Sequence, residues 1–469
     1  MSEINRLEPR DRSRKAFELG VDGLNKLLGE IQGPYTLLIS GHPGAGKTTL
    51  ASMICYYNTL IGHNCLFVTV YEDKEKLFKN MEKFGIHMDQ AERRGSLRFI
   101  RLPISLDIRG IIDTIGKNLG EGYDLVIVDS ISALLEPLKD NAERRAYLLN
   151  YFYQIPLMNN GLLVLISELP YGAQIPEYLT TEFIADAVIV LKHRIEDGFL
   201  IRNLELRKTR GKPLYIVEVP FSISESRGVF VHAPTLLEEL PHEKEELEFP
   251  CETLAHKIGH VYKDFFVNVF YPQESIYGDT VLLVLLGFLL RYNLKGLVIS
   301  YISSPHTITE SIVKILLDHG IDHKKAEKII REHLIIKSLN PYAQSISELS
   351  LRELDLINKI KPDIVVFHGS HVIKTDSYRK YYIALYNQLL YMKHLGIGVL
   401  RILNCTNVHR CRDEASLSDL TFKIKRVMKG NKYDFLIVSY RRFKEPVVMT
   451  REDIQLCIGD IVDYIKKTI

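Results

Sequence analysis

Short runs of consecutive apolar residues alternate with longer mixed stretches along the whole chain. In the first half such runs occupy residues 35–40, 66–71, 125–128 and 162–167. A short uninterrupted apolar run is typical of a strand that is buried on both faces of a parallel sheet. The stretches between the runs are long enough for the helices that join parallel strands. The pattern therefore predicts an α/β fold made of largely parallel, twisted sheets flanked by helices.

The same order of strands and helices occurs again after residue 250. The corresponding segments are 35–40 with 265–270, 67–71 with 297–301, 124–129 with 363–368, and 146–167 with 381–403. A repeated pattern of this length indicates a tandem duplication of one domain. An unrelated α/β domain would be the alternative, because alternating strands and helices recur in many folds.

A segment rich in proline and acidic residues separates the two halves. Residues 234–250 read PTLLEELPHEKEELEFP, which interrupts the apolar rhythm as a linker does. We predict a polar N-terminal arm at residues 1–14, a first domain at 15–235, a linker at 236–258 and a second domain at 259–469.

The first apolar run leads directly into a phosphate-binding motif. Residues 41–48 read GHPGAGKT, which fits G-x-x-x-x-G-K-[ST] in full. The glycines let the backbone N–H groups surround a phosphate at the start of the next helix, where Lys47 reaches the β- and γ-phosphates and Thr48 binds Mg²⁺. The predicted nucleotide-binding residues are Gly41, Pro43, Gly44, Ala45, Gly46, Lys47, Thr48 and Thr49. The sequence thus predicts ATP and Mg²⁺ as ligands.

An acidic residue for the metal follows a second buried run. Asp129 comes directly after residues 125–128, and a buried carboxylate there requires a compensating cation. We predict that Thr48 and Asp129 together hold Mg²⁺. The alternative is a cap for the next helix, made with Ser130 and its neighbours.

Two further acidic residues, Glu72 and Asp73, follow the strand at 66–71. Ligands of doubly wound sheets collect beyond the carboxyl ends of the strands, so an acid here would lie near the γ-phosphate. We predict Glu72 as the general base that activates water, with Asp73 as a second catalytic candidate. Asp73 also precedes a helical stretch and could serve only as its N-cap.

Beyond these motifs, five segments resemble in order the KaiC-like branch of the RecA-superfamily ATPases. They are residues 71–86, 126–134, 162–168, 183–191 and 204–211. The resemblance covers about residues 15–232 and implies an active RecA-like ATPase domain that assembles into a homo-oligomeric ring, usually a hexamer, with ATP at the subunit interfaces.

The resemblance also implies roles for four more residues. Lys208 and Arg210 match basic residues that act on the nucleotide of a neighbouring subunit, and Ser167 with Glu168 match a sensing position. From the residues alone, Lys208 and Arg210 could instead lie in a solvated charged turn. Ser167 and Glu168 could instead mark an ordinary helix start.

The second half has the same pattern of strands and helices but lacks the residues predicted to bind and hydrolyse ATP. No second P-loop motif occurs after residue 250, His368 stands opposite Asp129, and Ser303 stands opposite Glu72. We predict a degenerate RecA-like domain that does not hydrolyse ATP and instead stabilises a ring or binds a protein partner. The alternative is an altered phosphate loop within residues 271–280. Nearby basic residues could also be a reused interface: Arg441, Arg442 and Lys444.

Composition narrows the class of protein only slightly. Lys and Arg number 60 against 58 for Asp and Glu, a net charge of +2 that does not indicate nucleic-acid binding. The N-terminus is polar, and the longest apolar run, 281–290, is too short to span a bilayer. We therefore predict a cytoplasmic protein without a membrane span.

The six cysteines show no pairing rhythm, so reduced thiols are expected. Cys405, His409 and Cys411 could supply ligands to zinc. Their spacing fits no common structural zinc pattern, and no fourth ligand is evident nearby.

Together these features predict a Mg²⁺-dependent, ring-forming regulatory or mechanochemical ATPase. Two alternatives fit the same residues. One is a nucleotide-gated scaffold in which slow hydrolysis acts as a timer, and the other is a recombinase-like ATPase that binds DNA.

Overall fold

A computed structural model describes most of the chain, in two compact units of residues 1–233 (unit 1) and 234–469 (unit 2). The described residues are 15–103, 107–169, 179–196, 199–211, 213–214, 218–225, 227–231, 233, 245–272, 278–373, 378–405, 407–429, 432–442 and 444–468. The predicted N-terminal arm at 1–14 lies outside them.

Unit 1 alternates strands and helices before it ends in a run of strands. The strands are β1 (Ala16–Phe17), β2 (Ile31–Gln32), β3 (Tyr35–Gly41), β4 (Cys65–Thr69), β5 (Leu97–Arg101), β6 (Leu125–Asp129), β7 (Leu162–Glu168), β8 (Ala187–Glu196), β9 (Phe199–Thr209), β10 (Glu218–Ser224) and β11 (Gly228–Val231). The helices are α1 (Asp22–Leu28), α2 (Lys47–Leu60), α3 (Lys74–Glu82), α4 (Met88–Arg93), α5 (Ile108–Leu119), α6 (Ile131–Leu135), α7 (Ala142–Asn159) and α8 (Leu179–Ile184).

Nine strands of unit 1 form one sheet in the order β11-β10-β9-β8-β3-β7-β6-β4-β5. The six strands from β8 to β5 run parallel, whereas β9, β10 and β11 continue the sheet antiparallel. The continuous apolar runs of β6 and β7 are buried because helices cover both faces of the sheet. This arrangement confirms the predicted α/β class.

Unit 2 repeats this succession of elements. Its strands are β12 (Glu246–Glu248), β13 (His260–Tyr262), β14 (Phe266–Tyr271), β15 (Gly296–Ser300), β16 (Leu334–Ser338), β17 (Ile364–His368), β18 (Gly398–Asn404), β19 (Leu420–Lys429), β20 (Lys432–Arg441) and β21 (Val447–Met449). Its helices are α9 (Glu252–Ile258), α10 (Gly278–Arg291), α11 (Pro305–Asp318), α12 (His323–His333), α13 (Ile346–Ile360), α14 (Tyr378–His394), α15 (Val408–Leu417) and α16 (Arg451–Thr468).

The sheet of unit 2 has the order β16-β15-β17-β18-β14-β19-β20-β21, which is the order of unit 1 strand for strand, less the edge strand β11. Hydrogen bonds match in detail as well. Asp186 accepts the backbone N–H of Thr36 at 2.8 Å, and Asp419 accepts that of Phe266 at 2.9 Å at the corresponding register. Such agreement is what a duplication predicts, and the expectation of two RecA-like domains is confirmed.

The predicted linker at 236–258 needs correction over its described part. Residues 246–258 contain β12 and α9, and β12 pairs with β13 as β1 pairs with β2 around α1. Leu247 and Phe249 are buried in the core of unit 2. The second copy therefore begins before residue 259. The acidic residues and prolines of this segment resemble a linker, although these apolar residues are buried.

The expectation of reduced thiols is wrong for this structure. The six cysteines form three disulfides: Cys55–Cys65, Cys251–Cys457 and Cys405–Cys411. Two of the pairs join neighbouring elements of the fold, which no spacing in the sequence could show. No group of three potential metal ligands occurs among the described residues, so the zinc cluster is not formed there.

Among the residues that the structure describes, none of the helices combines the length and the apolar character of a membrane span.

Candidate active site

The P-loop lies between the end of β3 and the start of α2, and its glycines are required by position. Gly46 is the N-cap of α2 with φ 102°, and a Cβ atom there would lie 2.5 Å from Cδ1 of Ile223. A Cβ on Gly41 would lie 2.3 Å from the carbonyl oxygen of Leu191. Both positions therefore exclude a side chain, which leaves the loop backbone free to follow a phosphate closely.

Lys47, the first residue of α2, lies within this loop. Its Nζ donates to the carbonyl oxygens of Gly41 at 2.9 Å and His42 at 3.0 Å. Burial lowers the pKa of Lys47, and the charges of Glu168 and Asp129 oppose that shift. An ammonium group this well buried and held only by carbonyls is suited to bind a phosphate anion.

Thr48 and Asp129 form the second part of the site. Thr48 Oγ1 donates to Asp129 Oδ2 at 2.7 Å, and Asp129 is only 9% exposed at the end of β6. Burial raises the pKa of Asp129 to about 6, and the nearby charge of Glu72 adds to the rise. Oxygen donors and an excess of buried negative charge fit Mg²⁺, so these two side chains are the residues that would hold it.

The structure gives Glu72 and Asp73 different positions. Glu72 lies in the turn after β4, where its backbone N–H donates to Thr69 Oγ1 at 3.1 Å, and its carboxylate is close enough to raise the pKa of Asp129. Asp73 is exposed and caps α3 by accepting the N–H of Lys76 at 3.0 Å. Glu72 thus belongs to the cluster, whereas Asp73 serves the helix.

Ser167 and Glu168 end β7 beside the P-loop. Glu168 is opposite Gly41 in the register of β3 and β7, and its charge acts on both Lys47 and Asp129. Ser167 Oγ lies 3.1 Å from Ser132 Oγ, which also accepts the N–H of Glu168 at 2.9 Å. This hydrogen bonding fixes the end of β7 against the start of α6.

Lys208 and Arg210 lie at the other end of the sheet. The ladder places Thr209 opposite Ala187, and Ala187 is level with Leu37 near the start of β3. Lys208 Nζ donates to the carbonyl of Glu182 at 2.7 Å, and Arg210 Nη1 donates to Asp186 Oδ1 at 3.2 Å. Because Leu37 and Gly41 are about 13 Å apart along the strand, neither side chain meets the P-loop of its own chain.

A basic cluster that no motif in the sequence predicts adjoins the P-loop. β8 extends beyond its last partner in β3, which brings His193 beside His42 with ring centroids 5.6 Å apart. Burial lowers the pKa of His193, and the charges of His42, Arg202 and Lys47 act in the same direction. Only the strand register, which pairs His193 with Arg202, reveals this grouping.

At the corresponding place in unit 2, other residues hold the positions of Asp129 and Glu72. Ser300 pairs with His368 as Thr69 pairs with Asp129, so His368 occupies the position of Asp129. Ser303 donates its N–H to Ser300 Oγ at 3.0 Å in the same turn that places Glu72 in unit 1. Residues 273–277, within the predicted alternative loop at 271–280, lie outside the described residues.

Comparison with known proteins gives matches over the first unit and over most of the chain. A family model described as the KaiC ATPase matches residues 17–235. The circadian clock protein KaiC3 of Synechocystis is 24% identical over 412 residues, which cover 82% of this chain and 78% of that protein. The circadian clock oscillator protein KaiC of Rippkaea orientalis is 25% identical over 46% of either chain. A UPF0273 protein of Thermotoga maritima is 24% identical over 46% of this chain and 96% of its own length.

Proposed function

We propose that this chain, a KaiC-like protein of the RecA superfamily as its sequence predicted, binds ATP with Mg²⁺ in unit 1 and hydrolyses it. The observation that carries the proposal is the buried hydrogen bond between Thr48 and Asp129, formed beside an ammonium group that backbone carbonyls hold within a glycine loop. The ammonium group suits the phosphates of a triphosphate, and the hydroxyl and carboxylate oxygens suit a divalent cation.

Four residues of unit 1 would have different roles in the reaction. Lys47 would exchange its carbonyl partners for the β- and γ-phosphate oxygens, which carry full negative charge. Thr48 and Asp129 would hold Mg²⁺, which when bound neutralises charge on the phosphates. Glu72 would orient a water in line with the γ-phosphate. Its carboxylate follows the end of β4, and β4 is the neighbour of β6, the strand that ends at Asp129.

Completion of the site requires a second subunit. Lys208 and Arg210 are held by carbonyl and carboxylate oxygens at the sheet end that is remote from their own P-loop. A cation that stabilises the transferring phosphoryl group is commonly supplied from a neighbour. These two side chains would therefore act on the nucleotide of an adjacent chain, which implies a ring-like homo-oligomer whose interfaces contain ATP. Unit 2 would stabilise that ring or bind a protein partner.

The test compares two neighbouring acids with a variant that cannot bind phosphate. Lys47→Ala should abolish ATP binding, because it removes the charge that contacts the phosphates. Glu72→Gln should keep ATP binding and slow hydrolysis at least tenfold, because the Glu72 carboxylate only orients water. Asp73→Asn is the matched control, because asparagine caps a helix as well as aspartate does. Affinity is measured by calorimetry and turnover by phosphate release. Normal turnover in Glu72→Gln together with a loss in Asp73→Asn would transfer the base role to Asp73.

A further inference from the structure

Unit 2 contains a cavity at the place where unit 1 has its nucleotide site. The cavity has a volume of about 340 Å³ and lies at the carboxyl ends of β14, β15 and β17, beside α10 and α11. Three of its lining residues, Tyr271, Ser303 and His368, hold the register positions of Gly41, Glu72 and Asp129. A volume of this size is in the range of small-molecule pockets.

The lining chemistry is unsuited to a triphosphate. Most of the lining side chains are aliphatic, contributed by the sheet through Val298 and Ile402 and by the helices through Leu282 and Ile308. No lysine or arginine is among the described lining residues. Asp279, the second residue of α10, adds a carboxylate to the lining. An anion would therefore meet negative charge and no compensating cation.

One end of the cavity offers a defined hydrogen-bond donor. Ser300 Oγ accepts the N–H groups of Ser303 at 3.0 Å and Ile302 at 3.4 Å, and it lies 3.1 Å from His368 Nδ1. With both acceptor positions of the hydroxyl in use, its proton goes to Nδ1. The neutral imidazole then carries its own proton on Nε2, as a donor for a ligand.

We propose that this cavity is a binding site for an uncharged, predominantly apolar small molecule that presents a carbonyl or another acceptor oxygen to His368. The hydrophobic walls would contribute affinity through burial of apolar surface. The single donor would orient the ligand, as the few polar groups of apolar pockets do. On this view the second copy exchanged a phosphate site for an apolar one at the same place in the fold.

The probe for the test is prodan, an uncharged naphthalene ketone whose emission shifts to the blue in apolar surroundings. The full-length protein is titrated with prodan with and without saturating ATP and Mg²⁺. We expect saturable binding of one molecule per chain, with blue-shifted emission that ATP does not reverse. Absence of saturable binding would overturn the proposal. Displacement of the probe by ATP would also overturn it, because it would assign the probe to unit 1.

A matched pair of tryptophan variants locates the probe, since the chain has no tryptophan of its own. Ile308→Trp should fill the cavity, show the blue emission of a buried indole and weaken prodan binding at least tenfold. Ile383→Trp changes an isoleucine of α14 that is 50% exposed, and it should leave binding unchanged. Equal prodan affinity in the two variants would refute the assignment. If Ile308→Trp fails to fold, Ser311→Trp on the cavity side of α11 serves in its place with the same expected results.

Discussion

The charge of Asp129 should make the nucleotide-free protein less stable than it could be. The carboxylate is 9% exposed, and its nearest hydrogen-bond donor is the neutral hydroxyl of Thr48. Asp129→Asn keeps an oxygen acceptor for that hydroxyl and removes the buried charge. We therefore predict that Asp129→Asn stabilises unit 1 in the absence of nucleotide while it weakens the binding of ATP with Mg²⁺.

The size of the effect follows from the pKa shift. The pKa of Asp129 rises from 3.8 to about 6 on folding, so the folded state disfavours the ionised form by roughly 3 kcal/mol. Because the folded pKa is raised, the penalty is absent below the unfolded pKa, grows as the pH rises from about 4 to 6, and is complete above about 7. The asparagine variant should thus gain up to about 3 kcal/mol at pH 8 and less than about 1 kcal/mol at pH 4.

The assay is urea unfolding of both proteins between pH 4 and pH 8, followed by a single tryptophan introduced as Phe99→Trp in unit 1. Asp124→Asn is the matched control of opposite sign. Burial would raise the pKa of Asp124, but Lys15, 2.5 Å away, lowers it overall. Its replacement should destabilise the protein at pH 8, and that loss should fade as the pH falls through the folded pKa.

Two results would refute this reasoning about Asp129. The first is an asparagine variant that is less stable than the parent at pH 8, and the second is a gain that does not change with pH. Nucleotide provides an independent check. ATP with Mg²⁺ at a hundred times its Kd should add about 2.7 kcal/mol to the parent, and clearly less to Asp129→Asn at the same concentration.

Three further predictions concern stoichiometry, assembly and the core of unit 2. Calorimetry should give one ATP per chain, and Lys47→Ala should reduce this to zero; a second saturable site in that variant would show that unit 2 binds ATP. Arg210→Ala and Lys47→Ala should each abolish turnover alone, but mixed oligomers should regain part of it, which phosphate release on mixing measures; no recovery would argue against action between subunits. Glu414→Gln should cost about 3–5 kcal/mol in urea unfolding, because it removes the negative charge that pairs with the buried guanidinium of Arg401; a change under about 1 kcal/mol would contradict this.

The sequence predicted those parts of the fold that depend on local pattern. Runs such as 125–128 were assigned to buried strands because a parallel sheet covered on both faces tolerates only apolar residues. The P-loop was predicted because its glycines and Lys47 lie within eight consecutive residues and need no partner distant in sequence. Asp129 and Glu72 were predicted as site residues because strand ends in a parallel sheet meet at one edge.

Features that depend on register or on distant pairing were missed. His193 lies beside His42 of the P-loop only because β8 continues past its last partner in β3. The sequence contains no signal for that extension. The disulfide between Cys251 and Cys457 joins residues 206 positions apart. The first strand of unit 2, β12, has the acidic composition of a linker because its outer residues are glutamates, and only its position in the fold shows that Leu247 is buried.

The two sheets share their strand order but differ in the residues of their cores. The register position of Leu165, an apolar core residue in unit 1, is held in unit 2 by Arg401, which is only 1% exposed. Its guanidinium bonds Glu414 at 2.6 Å and Tyr381 at 2.6 Å. A buried ion pair is costly unless its groups are fully hydrogen-bonded, and here the two units share a strand order while unit 2 has a polar group in its core where unit 1 has an apolar one. Loss of catalytic residues alone would not require such a change. The two units therefore differ in their interiors as well as at the carboxyl edge of the sheet, as expected if unit 2 has a binding role of its own.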